Sequence, residues 1–331
     1  MMAVRFFLLP LLLTHLKVAA SSGEEMEGPA LASFIASFVE AERGTPFWAV
    51  DSSETRYGSV AELWKAKLPE EALLSHAHGF WMQRNTSIPS VIGMEHENAF
   101  GDLDHTRGLV ARVLASRLQA QGASGAEAAP PVRCLSMCAG IGREARGALL
   151  PAGCTTIDLL EPQAHYLDAA RGALEGTGAL GRAFNVPAQD HDFAAAGEVY
   201  DLVFLGWCTQ FFPDRALLRV LRAAAAHLAP SGGALVVKDN ESKGADAVYN
   251  DKDHFVIRSA AYSSALMSLG APGLAKLAED APPQWPGNYF PLSAVVWVRA
   301  EEVAQRSQRY QQAAAAEEGH HQAAAAEAGE L

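Results

Sequence analysis

Cysteine is sparse in this chain: 331 residues contain four, Cys134, Cys138, Cys154 and Cys208. Cys134 and Cys138 lack the spacing of a zinc site and no Cys/His cluster completes one, so no metal centre is expected. Three of the four sit in or beside segments read below as central strands and their loops, where small buried thiols are common, and they leave the compartment open. Basic residues are outnumbered, with 26 Lys+Arg against 38 Asp+Glu and a formal charge of -12. That balance disfavours a phosphate backbone, so no nucleic acid is expected as partner, and it tolerates a basic one. Part of the excess lies at the C-terminal end, where Glu301, Glu302, Glu317, Glu318, Glu327 and Glu330 stand against Arg306 and Arg309. The apolar stretch near the start, Phe6 to Leu13, falls short of the ~20 residues a membrane span needs, so no stable span is expected.

What is present begins with "MMAVRFFLLPLLLTHLKVAASSGEE". Arg5, the apolar stretch, and small residues Val18 and Ala20 before Ser21 have the build of a secretory or organelle-entry signal. The expected organisation is a leader over 1–20, an irregular arm over 21–55, a helical extension over 56–122, an α/β domain over 130–300 and a low-complexity tail over 301–331. In the extension, Leu103, Leu109, Val110, Val113, Leu114 and Leu118 recur at helical spacing. "AQGASGAEAAPP" is a small, polar, proline-ended linker. The tail repeats its own AAAAE and reads as helical or disordered, with His320 and His321 incidental to any metal site.

From Val132 short apolar runs alternate with helical ones. "VRCLSM", "TTIDLL", "RAFNV", "YDLVFLG" and "ALVVK" are strand candidates, each bounded by turn residues. "REARGALL", "PQAHYLDAARGALEG" and "DRALLRVLRAAAAHL" have helical periodicity; Pro162 and Asp214 suit helix starts, and "APSGG" suits a helix end. A further helix is expected from about Asp253 to Leu269, and a late strand in "PLSAVVWVRA". Strand and helix in alternation imply a parallel sheet covered on both faces.

In such sheets ligands bind outside the carboxyl ends of the strands. The first strand runs into "MCAGIGREA", where Gly140 and Gly142 permit a tight turn and close approach to a ligand, or simply a tight turn. The pattern is not G-x-G-x-x-G, so a dinucleotide is the poorer reading. Glu161 closes the second strand about twenty residues on; an acidic residue there can accept both hydroxyls of a ribose or can serve as a solvated helix-start carboxylate. After the third strand, "AQDHDF" offers Asp190 or Asp192 to an adenine amino group. The set fits an adenosine without phosphates, the arrangement that binds S-adenosylmethionine. Trp207 lies at the rim after "YDLVFLG", and "VVKDN" ends the next strand in three polar residues, Lys238 to Asn240.

These segments resemble the alpha-N-terminal protein methyltransferases, which modify proteins starting X-Pro-Lys. "AGIGR" (Ala139 to Arg143), "YDLVFLGW" (Tyr200 to Trp207), "LAPSGGALVVKDN" (Leu228 to Asn240) and "NDKDHFVIR" (Asn250 to Arg258) carry the resemblance, with "FWMQ" and "IPSVIGM" (Phe80 to Met94) upstream. "AGIGR" is shared with many methyltransferases; "VVKDN" with the acidic segment after it is more specific. The resemblance implies a class I S-adenosylmethionine-dependent methyltransferase fold, a Rossmann-like seven-stranded sheet with an N-terminal helical extension closing over a peptide channel.

It further implies a cofactor site made by Cys138, Gly140, Gly142, Arg143, Glu161, Gln189, Asp190 and Gly206. Arg143 would meet the methionine carboxylate, Glu161 the ribose, and Gln189 would sit near the adenine. Trp81, Trp207, Asn240, Asn250, Asp253 and Tyr289 would hold the substrate, a protein N-terminal peptide with a basic third residue. Asn250 and Asp253 would face the third, basic residue or the amine; Asp253 would take or steer the amine proton, with Asn240 holding the chain, and a helix N-cap is the other role open to Asp253. A monomer is expected.

The departures from the family pattern lie in the site. Cys138 stands where the family has the first loop glycine, Gly206 where it has glutamine, Phe211 where it has a histidine, and Asn250 where it has one of two aspartates. "EHEN" replaces a Gly-Gly after Gly93 and Met94. These changes keep open a methyltransferase for another amine acceptor, or a cofactor-binding partner protein without catalysis. The leader points to the secretory pathway or an organelle, whereas the resemblance points to cytoplasm or nucleus.

Overall fold

The computed structural model of the chain describes residues 28–93, 95–96, 98–120, 131–193, 197 and 199–329, and for 118–120 and 318–329 the backbone alone. The leader, the side chains of His320 and His321, and most of the expected linker lie outside what is described. The core is a seven-stranded sheet. Its strands are β3 (Arg133–Met137), β4 (Thr156–Leu160), β5 (Leu180–Phe184), β6 (Leu202–Gly206), β7 (Ala234–Asn240), β10 (Leu274–Asp280) and β11 (Leu292–Arg299), and their order is β10-β11-β7-β6-β3-β4-β5. Strands β3 to β7 run parallel to one another, and β11 runs antiparallel to both β7 and β10. The chain leaves β3 toward β4 on one side and returns through β6 on the other, so the β3/β6 boundary is the topological switch point where ligands bind.

Two apolar clusters cover the sheet, one on each face, because successive residues of a strand point to opposite sides. Leu135, Met137, Val203, Leu205 and Leu235 pack on one side with α1 (Gly28–Arg43), α7 (Asp214–Ala226) and α8 (Ala260–Gly270). Cys134, Leu202, Phe204, Val236 and Val296 pack on the other with α5 (Asp102–Ala120) and α6 (Ala164–Leu174). The remaining helices are α2 (Val60–Ala66), α3 (Glu70–Met82), α4 (Ile88–Ile92) and α9 (Val303–Gly329). "REARGALL" forms a short stretch of π geometry, Ala145–Leu149, after the glycine turn. Among the described residues no helix is long and apolar enough to cross a membrane.

Two local expectations are corrected and a third, the helical tail, is refined. The arm is not irregular: α1 packs on α8, and β1 (Ala49–Asp51) and β2 (Arg56–Tyr57) join β8 (Ala247–Asn250) and β9 (Phe255–Arg258) in a second sheet ordered β2-β1-β8-β9. The helix expected from Asp253 starts later. Phe255–Arg258 is a strand, and Ser259 is the N-cap, its hydroxyl accepting from the Tyr262 N–H at 3.2 Å. Asp253 therefore sits in a hairpin turn and caps no helix. The tail is helical, and its first turns are core: the side chain of Arg306 is 1 % exposed and donates to the carbonyls of Val113 (3.3 Å) and Gly233 (3.2 Å).

Both pairs of cysteines are disulfides, Cys134 with Cys154 and Cys138 with Cys208. The first ties β3 to the loop before β4. The second joins the carboxyl ends of β3 and β6 and so spans the switch point.

Candidate active site

A cavity of about 430 Å³ opens at the carboxyl ends of β3, β4, β6 and β7, within the size range of small-molecule sites. Cys138, Gly140, Arg143, Glu161, Gln189, Gly206, Trp81, Trp207, Asn240 and Asp253 all line it. Four expected residues do not. Gly142, at φ +80°, serves packing, since a Cβ there would lie 2.8 Å from the Ala170 Cα. Asp190 is exposed and accepts from the Gln189 amide at 3.4 Å. Tyr289, 43 % exposed, packs on Phe100 and Trp285, each ring about 6.0 Å away. Asn250 organises a turn, as described below.

Glu161 ends β4 and is 5 % exposed. Its carboxylate accepts from the Gly140 N–H at 2.9 Å and the Gln163 N–H at 3.0 Å. Burial pushes its pKa up to about 7, against the pull of those two N–H donors, and among the described residues no cation pairs with it. A buried carboxylate with spare lone pairs and no cation suits neutral hydroxyl donors, which is what a ribose offers. Gly140, at φ +52°, faces open space where a Cβ would stand, so the loop leaves room for a ligand. Arg143 also lines the cavity, and its guanidinium is paired with Asp102 and Glu144. The donor set therefore fits an adenosine-bearing cofactor.

The polar end of β7 resolves into three separate roles. Lys238, with no exposed side-chain surface, pairs with Asp102 and reaches the Thr106 hydroxyl at 2.6 Å, fastening α5 to the sheet. Burial opposes the charge on Asp102, but Lys238 and Arg143 overcome it and hold that carboxyl low. Asp239 accepts from the Thr209 hydroxyl (2.7 Å) and the Asn240 N–H (2.8 Å), fixing the Thr209–Phe211 turn after β6. Burial pushes the Asp239 carboxyl upward. Only Asn240 reaches the cavity, its amide donating to the Gln210 side chain at 3.4 Å.

The N-terminal helices form the roof. The Trp81 ring on α3 lies 5.3 Å from Phe211 and 6.2 Å from Tyr166, and Phe255 stands 5.9 Å beyond Phe211. Gln163 holds the roof down by donating to the His78 carbonyl at 2.9 Å, and His165 meets the Arg84 carbonyl at 2.9 Å. Trp207 stands opposite in a left-handed conformation, φ 62°, with its own N–H bonded to the Lys238 carbonyl at 2.8 Å. Its indole Nε1 is buried and has no hydrogen-bond partner among the described residues. Asp253 enters from the β8–β9 turn, where the Asn250 side-chain oxygen accepts from the Lys252 (2.9 Å) and Asp253 (2.8 Å) N–H groups. Asn250 thus aims the turn and has no surface on the cavity.

Sequence reasoning passed over Gln163, Tyr166, Phe255 and Cys208, all on the cavity wall. Gln163 and Tyr166 open α6 directly after Glu161, and that adjacency was the one available signal. The others depend on which loops fold over the strand ends.

Sheet order, the reversed β11, the switch-point cavity and the roof helix define a class I S-adenosylmethionine-dependent methyltransferase. The structure is similar to that of a SAM-dependent methyltransferase from Leishmania major, with a TM-score of 0.58 at 24 % identity over 76 % of this chain and 96 % of that one. Residues 69–294 match the family described as AdoMet dependent proline di-methyltransferase, and the chain belongs to it. Alpha N-terminal protein methyltransferase 1 of Arabidopsis thaliana is 29 % identical over 224 residues, 64 % of this chain and 78 % of the plant protein. N-terminal Xaa-Pro-Lys N-methyltransferase 1 of Danio rerio is 28 % identical over 172 residues, 52 % of this chain and 72 % of the fish protein. S-adenosylmethionine is the cofactor that membership implies.

Proposed function

We propose that this protein methylates the α-amino group of protein chains that begin X-Pro-Lys. The observation that carries the reading is the convergence of Asn240 and Asp253 on one cavity with Glu161, between Trp81 and Trp207. Polar groups that accept from an amine thus share a space with a ribose-type carboxylate, under an aromatic roof. The Danio rerio relative's name supplies the substrate class.

Bound here, S-adenosylmethionine would supply a sulfonium-borne methyl group, the amine nitrogen's lone pair forming the new N–C bond as the S–C electron pair returns to sulfur. Glu161 and Gln189 would hold the adenosine, and Cys138, Gly140, Arg143 and Gly206 the methionine portion. Trp81 and Trp207 wall the first substrate residues and exclude water. An α-amine has a pKa of about 7.7–8.0, so a usable fraction is already neutral near pH 7. Asp253 orients that neutral amine and receives the proton released on methylation. Asn240 accepts from or donates to the peptide backbone without adding charge. Held alignment of this kind can contribute on the order of 7–11 kcal/mol at best.

Mass spectrometry of a Ser-Pro-Lys peptide incubated with the full chain and S-adenosylmethionine tests the reading. Methyl groups should appear on the free peptide and not on its Nα-acetylated counterpart. Methylation of both peptides, or of neither while calorimetry shows cofactor binding, would count against it.

A further inference from the structure

The family match begins at residue 69, yet residues 28–68 before it are built into the edge of the site. Strand β1 pairs in parallel with β8, Ala49 with Ala247, Val50 with Val248 and Asp51 with Tyr249. The last of these pairs stops one residue short of Asn250, which organises the turn carrying Asp253. At that point Lys67, 7 % exposed in its side chain, bridges Asp51 at 2.8 Å and Asp251 at 2.7 Å. Its ammonium also lies 4.7 Å from the Tyr249 ring and 5.2 Å from the Tyr57 ring.

Asp251 is held by Ser52 as well, whose N–H donates to its carboxylate at 3.2 Å. The Asp251 carboxylate also accepts from the Ser52 hydroxyl at 2.9 Å, and the Asp251 N–H donates back to that hydroxyl at 3.0 Å. Asp51 is fixed in turn by the Tyr57 hydroxyl at 2.6 Å and the Thr55 N–H at 2.9 Å. None of Lys67, Asp51 or Asp251 lines the cavity. The Lys67 and Asp51 side chains are buried while that of Asp251 is 35 % exposed, so for mere cohesion the Lys67–Asp51 half costs desolvation that apolar residues of similar volume would avoid. What the charges add is directional placement of the turn.

We infer that Lys67 is a positioning residue: with Asp51 and Ser52 of the arm it clamps Asp251 and thereby sets where the Asp253 carboxylate stands in the methyl-transfer cavity. The inference rests on the reading of Asp253 given above, and its test separates the two.

Lys67→Met should lower kcat on the Ser-Pro-Lys peptide at least tenfold while the Kd for S-adenosylmethionine changes less than twofold. Lys67→Arg, which keeps the charge between the two carboxylates, should recover most of the loss. In an Asp253→Asn background Lys67→Met should cost less than a further twofold, because a residue acting through another is not additive with it. Hydrogen exchange supplies a readout independent of substrate. The Lys252 and Asp253 amides, bonded to Asn250, should lose protection in Lys67→Met, while amides in β3 and β6 keep theirs. If exchange responds and the wild-type protein methylates no such peptide, the clamp stands and the substrate reading fails. Unchanged exchange in the turn, an equal loss in both backgrounds, or a parallel loss of cofactor affinity would overturn the positioning role.

Discussion

Lowering the pH from about 8 to about 6 should weaken S-adenosylmethionine binding roughly tenfold through Glu161 alone. Burial places its pKa at about 7 in the protein without ligand, against 4.5 for a freely solvated glutamate. If the carboxylate form accepts the ribose hydroxyls, the apparent Kd scales as one plus the ratio of protonated to ionised Glu161. That factor is about 1.1 at pH 8 and about 11 at pH 6. Binding near neutral pH should also release a proton, visible as a dependence of the calorimetric heat on the buffer's ionisation enthalpy. The same shift has a sign for stability. The folded protein holds this proton more tightly than the unfolded chain, so the contribution is fully present below about pH 4.5 and lost as pH rises through about 7. For a fully buried group the loss is on the order of 3 kcal/mol. Glu161→Gln should remove both effects, leaving unligated stability flatter across this window. A Kd that does not change with pH, or one that changes equally in Glu161→Gln, would refute the assignment of the ribose to this residue.

Two further outcomes follow from the same geometry. Asp253→Asn should reduce turnover about a hundredfold or more, the range for loss of a proton acceptor, with cofactor affinity within about twofold; equal losses in both would assign Asp253 a structural role only. Replacing Cys134 and Cys154, which are 20 residues apart in sequence, should cost about 3 kcal/mol in a reversible urea titration under oxidising conditions. The cost should vanish when wild type and variant are compared in reductant, and an undiminished difference there would point to packing instead of the crosslink.

Much of the fold was legible because each central strand carries its own boundary signals. "TTIDLL" and "YDLVFLG" are apolar runs stopped by polar or glycine residues, and burial on both faces of a parallel sheet makes such runs continuous. Glu161 could be read from its distance beyond the glycine turn. The arm was not legible: β1 and β2 are three and two residues long, too short for any alternation to register, and they exist only because β8 offers an edge. The β8–β9 hairpin was hidden for a related reason. "FVIR" is four residues of apolar pattern directly before a helix, and the helical period absorbed it.

The disulfides could not be inferred from spacing, because Cys138 and Cys208 are neighbours only through the β3–β6 pairing. Of the three polar residues that end "VVKDN", only Asn240 was assigned to the substrate; the other two serve the scaffold, Lys238 fastening α5 and Asp239 the turn after β6. A sequence shows that polarity is required at a strand end and does not show which partner requires it. Asn250 illustrates the same limit, since its place in the pattern suggested substrate contact whereas its oxygen caps the turn that delivers Asp253.

The most direct test of the central claim is a structure of the full chain with S-adenosylhomocysteine and a Ser-Pro-Lys peptide. The account predicts ribose hydroxyls on Glu161 and the peptide's first residues between Trp81 and Trp207. The α-amine nitrogen should lie within hydrogen-bond reach of Asp253, about 2.6–3.2 Å. A peptide bound outside this cavity, or one presenting its lysine side-chain amine to Asp253, would contradict it.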